Sequence, residues 1–444
     1  MIPITTPAEM RAVDAAAPEP VEVLIARAGA EVARSALDLL GGAYGRRVVV
    51  LAGPGNNGAD GIIAAERLVA RGVRVEVIDP RGEMAVRPDA DLVIDAAFGT
   101  GMSRPWTPPE VRAPVLAVDI PSGVDGLTGE LHGSALPAVR TVTFAALKPG
   151  LLLGAGPPHA GEIELADIGL DVGLPSAALV ESADVAAWVA PRPADAHKWR
   201  SGVRVVAGSP GMDGAGLLAA GAAMRGGAGI VHASSPGIGA RWPQEVVSRT
   251  VAEVGWAAEV LDGLDRFGAA VVGPGLGRSE ATRQEVGMFV AGASVPLVLD
   301  ADALWFVDAE VLRRRAQPTV VTPHDGEFAT MTGARPGADR FDASRRLAED
   351  LGVVVVLKGP TTVIADPGGH VLAVDEGDQR LATAGSGDVL TGLIGAYLAR
   401  GVPALSAAAA AVFVHGRAAR LAGGEGVVAG DLLLELGGAL ESCR

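Results

Sequence analysis

The chain of 444 residues has one cysteine, Cys443, next to its last residue. No disulfide framework can form, and a reducing cytoplasm is the expected compartment. Lysine is almost as scarce, with only Lys148, Lys198 and Lys358; arginine holds the other positive positions. A lysine retained in such a chain either survives by chance or meets a need for a compact ammonium that a planar guanidinium cannot supply. Aromatic residues make up 4%. No run is apolar for long enough to span a bilayer, and the first residues lack the basic and apolar regions of a signal peptide. Positive charge is in deficit, 37 basic against 52 acidic residues for a net charge of −15. That balance argues against a nucleic acid or an anionic membrane as main partner.

What is present is small and aliphatic. Hydrophobic residues make up 49% of the chain, and Ala, Gly, Val and Leu dominate, which suits closely packed α/β architecture. The length calls for two or three domains. A Pro-rich stretch at 191–197 reads as a linker.

In the first half, Arg47–Ala52 is a short β-branched run that enters Gly53-Pro54-Gly55-Asn56-Asn57-Gly58-Ala59-Asp60-Gly61. A helix is expected over 62–71, then a strand over 73–78. Strand, glycine loop and helix in that order place a ligand's anionic group at a helix N-terminus. The Asn-Asn-Gly tripeptide alone is equally compatible with a plain turn. Two more strands end in polar clusters, at Asp95 and at Asp119-Ile120-Pro121-Ser122. Ligands of open α/β sheets bind at the carboxyl ends of strands, so these tips converge on one site. Asn57, Asp95 and Ser122 offer hard oxygen ligands for an alkali or alkaline-earth cation, leaving Asp119 as acid–base group.

The second half repeats the alternation of strand, polar tip and helix, which predicts a mainly parallel sheet. The tips are Gly208–Gly216, Gly273-Pro274-Gly275-Leu276-Gly277, Asp300-Ala301-Asp302, Thr322-Pro323-His324, and Lys358 to Thr362. Asp300, Asp302 and His324 each admit a helix-capping reading. Lys358, emerging from a strand of valines beside Gly359, points at a ligand. Last comes Gly385-Ser386-Gly387-Asp388, leading a helix over 389–400. Asp388 is either its N-cap or a base that takes the proton of a hydroxyl attacking phosphorus.

The first-half loops, with Thr141–Gly150 behind them, resemble the epimerase domain of the bifunctional NAD(P)H-hydrate repair enzymes. The second half, with His197-Lys198, Thr-Pro-His-x-Gly-Glu, Leu-Lys-Gly and Gly-Ser-Gly-Asp, resembles the ribokinase-like superfamily and its NAD(P)H-hydrate dehydratase branch. The resemblance implies a Rossmann-like three-layer domain at 1–190 and a ribokinase-like α/β domain at 195–444.

In the first domain it puts hydrate contacts on Asn56, Asn57, Gly58, Ala59, Asp60, Gly99, Thr100, Gly101, Met102, Ser103, Arg104, Pro105 and Asp119, and K+ on Asn57, Asp95 and Ser122. In the second it puts hydrate contacts on Ala215, Gly275, Gly277, His324 and Asp388. Contacts to ADP or ATP fall on Lys358, Gly359, Pro360, Thr361, Thr362 and Gly387, with Mg2+ oriented through Glu327. Asp119 and Asp388 are the implied catalytic groups. The partners implied are the hydrates of NADH and NADPH, in a cytoplasmic homo-oligomer. Ala59 stands where a glycine is usual, and would strain the loop if that position needed a positive φ. Leu127 stands where an acidic residue is common, and Trp199 where a smaller residue or tyrosine follows the lysine. A plain kinase of a vitamin or sugar alcohol is the competing reading.

Overall fold

The structure is a computed structural model that describes residues 1–82, 86–102, 104–237 and 241–444. The chain divides into two compact units, Ile2–Ala177 and Ala178–Arg444. The proline stretch 191–197 lies within the second. Among the described residues no helix is long and apolar enough to cross a membrane.

The first unit is built on a six-stranded sheet. Its strands are β1 (Arg47–Ala52), β2 (Arg74–Ile78), β3 (Leu92–Ala96), β4 (Val115–Val118), β5 (Arg140–Phe144) and β6 (Glu162–Ala166). They lie in the order β2-β1-β3-β4-β5-β6, every pair parallel. Both faces are covered, as a parallel sheet requires. Val48 and Val50 of β1 pack with Val32 and Ala36 of helix α2 (Val21–Leu40) and Leu68 of helix α3 (Asn56–Ala70). The alternate residues Val49 and Leu51 pack on the other face with Trp106 and Leu136. A shorter helix, α1 (Pro7–Ala16), is closed at its start by a capping box between Thr6 and Glu9.

In the second unit the strands after residue 200 are β7 (Gly202–Val206), β8 (Ile230–Ser234), β9 (Val246–Ser248), β10 (Ala269–Val272), β11 (Leu297–Leu299), β12 (Thr319–Val321), β13 (Val354–Leu357), β14 (Thr362–Ala365) and β15 (Val371–Val374). The order β15-β14-β13-β12-β11-β10-β7-β8-β9 is parallel from β9 to β13, and the last two pairings are antiparallel. One core joins this sheet to α4 (Asp213–Arg225), α7 (Ser386–Ala399), α8 (Ala404–Leu421) and α9 (Ala429–Glu441). Helices α5 (Asp325–Thr332) and α6 (Arg340–Leu351) follow β12. Close packing explains the glycine and alanine content: a Cβ at Gly392 of α7 would lie 2.0 Å from the Ala219 carbonyl oxygen of α4.

Candidate active sites

In the first unit, α3 begins at Asn56, six residues before the start expected from the sequence. Asn56 to Asp60 therefore form its first turn and not an open loop. Gly58 permits this, because a Cβ there would sit 1.8 Å from the Gly53 carbonyl oxygen. Ala59 donates its N–H to the Gly55 carbonyl and is absent from the residues with positive φ. Alanine at this position causes no strain.

This turn opens into a cavity of about 530 Å3. Asn56, Asn57, Asp60, Gly99, Thr100, Gly101, Met102 and Asp119 line it, so most of the expected hydrate contacts meet there. Ser103 lies outside the described residues. Gly58, Ala59, Arg104 and Pro105 are not among the lining residues. Lys148, Asp14, Met10 and Leu24 are, and the sequence had not marked them as site residues.

Asp119 has a φ of 65°, a left-handed conformation that costs an aspartate energy and gathers at functional sites. Its Oδ1 accepts from Lys148 Nζ in an ion pair with the lysine fully buried. Lys148 also donates to Thr143 Oγ1 at 2.9 Å and to the Phe144 carbonyl at 3.2 Å. Ala145, with a φ of 62°, makes the turn that aims the lysine back at β4. Burial raises the Asp60 carboxyl to about 8, helped by the negative charges of Asp119 and Asp14. Asp14 is raised too, by burial and then by Asp119.

Behind the cavity, Asp95 is fully buried at the end of β3. Ser122 donates to it through Oγ at 2.6 Å and through its N–H at 2.9 Å. Burial drives the Asp95 carboxyl upward against those bonds. Asn57 has neither a donor nor an acceptor for its buried amide, and lies beside Gly99, where a Cβ would be 3.5 Å away. Among the described residues Asp95 has no cationic partner, and its carboxylate and the orphaned Asn57 amide are oxygens of the kind that hold a hard cation.

In the second unit, α7 starts at Ser386, and its N-cap is Gly385 with a φ of 90°. Asp388 sits in the first turn, so the N-cap reading is wrong. Beneath the turn lies a buried ion pair. Lys358 Nζ is 3.1 Å from Asp300 Oδ1 and 3.5 Å from Glu327 Oε2. Thr391 Oγ1 donates to Asp300 Oδ2 at 2.6 Å. A Cβ on Gly387 would stand 3.6 Å from Lys358 Nζ and 3.7 Å from Asp300 Oδ2, so glycine leaves that charge exposed to whatever lies over the turn.

Burial raises Asp300, but Lys358 and the hydroxyls of Thr391 and Thr322 outweigh it and the net shift is downward. Lys358 moves the opposite way: burial lowers it, and Asp300 and Glu327 more than compensate. Asp388 has no such partner. Burial, then repulsion from Asp300, push its carboxyl up to about 7.

His324 is a capping residue as well as a site neighbour: its Nδ1 accepts from Gly326 and Glu327 N–H at 2.9 and 3.2 Å. Glu327 accepts from the His324 N–H at 2.9 Å and lies against Lys358, so its carboxylate is already committed. Asp302 holds the glycine loop after β10, accepting from Gly277 N–H at 2.9 Å. A Cβ on Gly275 would lie 3.0 Å from the Ala215 methyl, which puts those two together. Thr362 is folded back onto the Gly359 carbonyl at 3.3 Å. Trp199 packs edge-on against His232 and Phe267 at 5.4 and 5.6 Å and belongs to a packing cluster. Among the described residues no group of three or more His, Cys, Asp or Glu is poised around a metal.

Residues 203–440 match the NAD(P)H-hydrate dehydratase family, and residues 21–87 and 79–150 match the YjeF-related protein N-terminus. The bifunctional NAD(P)H-hydrate repair enzyme Nnr of Mycobacterium tuberculosis is 40% identical over 85% of this chain and 84% of its own length. That of Moorella thermoacetica is 35% identical over 97% and 95%. This chain belongs to the bifunctional NAD(P)H-hydrate repair enzymes. Among solved structures, the ADP/ATP-dependent NAD(P)H-hydrate dehydratase from Bacillus subtilis, co-crystallised with ATP and Mg2+, matches with a TM-score of 0.51 and 30% identity, covering 59% of this chain and 96% of that one. A ribokinase-like protein from Enterococcus faecalis matches with a TM-score of 0.53 at 21% identity, which shows the fold. The glycine loops and Asp388 fall within the part of the chain that matches the dehydratase family.

Proposed function

We propose that the chain repairs hydrated NADH and NADPH in two steps, epimerising the hydrate in the first unit and dehydrating the S form in the second. The observation that carries the reading is the contrast between Asp388 and Asp300. Two carboxylates share one glycine turn, one neutralised by Lys358 and one lifted by burial to about 7. A base poised near neutrality suits removal of a hydroxyl proton.

In the second unit Asp388 takes the proton of the hydrate's ring hydroxyl as the oxygen attacks the terminal phosphorus of ADP or ATP. An O–P bond forms and the nucleotide's terminal P–O bond breaks, releasing the shortened nucleotide. The C–O bond then breaks, phosphate leaves with the electron pair, and loss of the neighbouring C–H proton restores the ring double bond. The N–H groups of the Gly385–Gly387 turn and the Lys358 ammonium offset charge developing on the phosphoryl group. With Asp300 and Glu327 tied to Lys358, few carboxylate oxygens here would be left to hold magnesium, which would supply charge neutralisation at the nucleotide phosphates.

In the first unit Asp119, held in place by Lys148, takes the proton of the hydrate hydroxyl as the ring C–N bond at that carbon opens to a carbonyl. It returns the proton when the nitrogen adds to the other face of the carbonyl. Asp60, protonated at neutral pH, is the acid available on the α3 side of the cavity. K+ on Asn57, Asp95 and Ser122 would supply the positive charge that buried Asp95 lacks. A vitamin or sugar kinase would give no role to this first site.

Incubating the full chain with both NADH hydrates and ADP, and following NADH absorbance, tests the reading. Consumption of both epimers supports two working sites, and half conversion removes the epimerase. No conversion with ADP or ATP overturns the proposal.

A further inference from the structure

The three lysines separate by what they touch. Lys148 and Lys358 are held in ion pairs at the two sites above. Lys198 has no carboxylate partner among the described residues, and it lines a groove of about 550 Å3 in the second unit. Arg192, His197, Arg200 and Arg400 line the same groove, with Trp188 and Val402 as apolar wall.

Two of these cations are anchored. Arg192 Nη2 donates to the Gly227 and Ala228 carbonyls at 2.9 and 3.0 Å, and Arg400 Nη1 donates to the Gly226 carbonyl at 3.2 Å. Both therefore answer the carbonyl end of α4. Burial lowers the Arg400 guanidinium, and Arg192 and Arg444 lower it further against Tyr397. One carboxylate is near: Asp195 pairs with Arg200 at 2.9 Å, both side chains exposed. Capping one helix explains Arg192 and Arg400. It leaves Lys198 and His197 without a task, and the single Asp195 carboxylate does not balance Arg192, Lys198, Arg200 and Arg400, which repel one another.

The groove is not an extension of the dehydratase site. It abuts Ser201 and Gly229, just before the N-terminal ends of β7 and β8, whereas the glycine loops follow the C-terminal ends. Asp388 lies in the first turn of α7 and Arg400 caps its last, a separation of about 18 Å at 1.5 Å per residue.

We propose that this groove binds a small phosphate-bearing anion. The exposed Lys198 ammonium is the cation left to contact it, with Arg200 released from Asp195 as a second, while Arg192 and Arg400 set a positive floor.

The test is calorimetric titration of the full chain with pyrophosphate at low salt, comparing wild type with the double variant His197→Gln/Lys198→Gln. Both side chains are exposed, so the melting temperature should not move. Wild type is expected to bind one more equivalent than the variant, with affinity at that site falling at least tenfold as salt rises to physiological strength. Dehydration kcat and the KM for ADP should be unchanged. Competition by ADP at the extra site would assign it to nucleotide phosphates, and its absence to free phosphate compounds; both support the proposal. Equal stoichiometry in the two proteins would overturn it, as would loss of dehydratase activity in the variant. Loss of duplex DNA binding with pyrophosphate binding unchanged would overturn it too.

Discussion

Lys358 and Asp300 form an ion pair 3.1 Å long directly beneath Gly387, so the glycine turn rests on a fixed ammonium and its carboxylate partner. Asp300 is buried to 2% and Lys358 to 22% of side-chain exposure, and removing one partner of such a pair strands the other. Lys358→Met is expected to destabilise the second unit by about 3 kcal/mol, measured by urea unfolding. An unchanged unfolding midpoint would mean that the pair is not part of the folded framework.

Dehydration should follow the ionisation of Asp388. Its carboxyl is raised to about 7, so the base form is lost as pH falls through that value. The expected profile of log(kcat/KM) rises with unit slope below pH 7 and levels above it. Asp388→Asn should lower the rate by about 100-fold or more and leave epimerisation intact, assayed with separated epimers.

Epimerisation should need the lysine as much as the aspartate. Lys148→Met leaves Asp119 without its buried partner, and a loss of about 100-fold is expected with dehydration of the S epimer unchanged. A Lys148 variant that epimerises at the wild-type rate would remove the lysine from the site.

Residue 59 tests the start of α3. Because Ala59 is helical, Ala59→Gly should cost about 1 kcal/mol of stability and bring no gain in epimerisation. Gly58→Ala should be far worse, since its Cβ would fall 1.8 Å from the Gly53 oxygen. Thermal melting and the epimerase assay together separate the two.

Potassium should stabilise the first unit even without substrate, because it would satisfy Asn57 and Asp95 together. The melting temperature is expected to be higher in K+ than in Li+ at equal ionic strength, and Asn57→Ala should abolish the difference.

Most of this was legible in sequence because the polar groups sit at strand ends, and strand ends can be read from short β-branched runs bounded by glycine. Asp95, Asp119 and Lys358 were found that way, and the Gly385–Gly387 turn from its place ahead of a helix with an apolar face. The first turn of α3 was not, since Gly58 looks like a turn residue until the Gly53 carbonyl is seen against it. Nor were the partners. Lys148 is far from Asp119 in the sequence, Asp14 comes from another helix, and Thr391 reaches Asp300 from one turn further along α7. The scarcity of lysine, and the place of Lys148 in the Thr141–Gly150 stretch, pointed to it in advance without giving its partner.

That scarcity has a practical side. Lys148 is 1% exposed and Lys358 lies under the glycine turn, which leaves Lys198 as the accessible side-chain amine. Among side chains, an amine-reactive fluorophore or cross-linker should therefore attach at residue 198, placing the dye at the groove, with the half-exposed α-amino group of Met1 as a competing site.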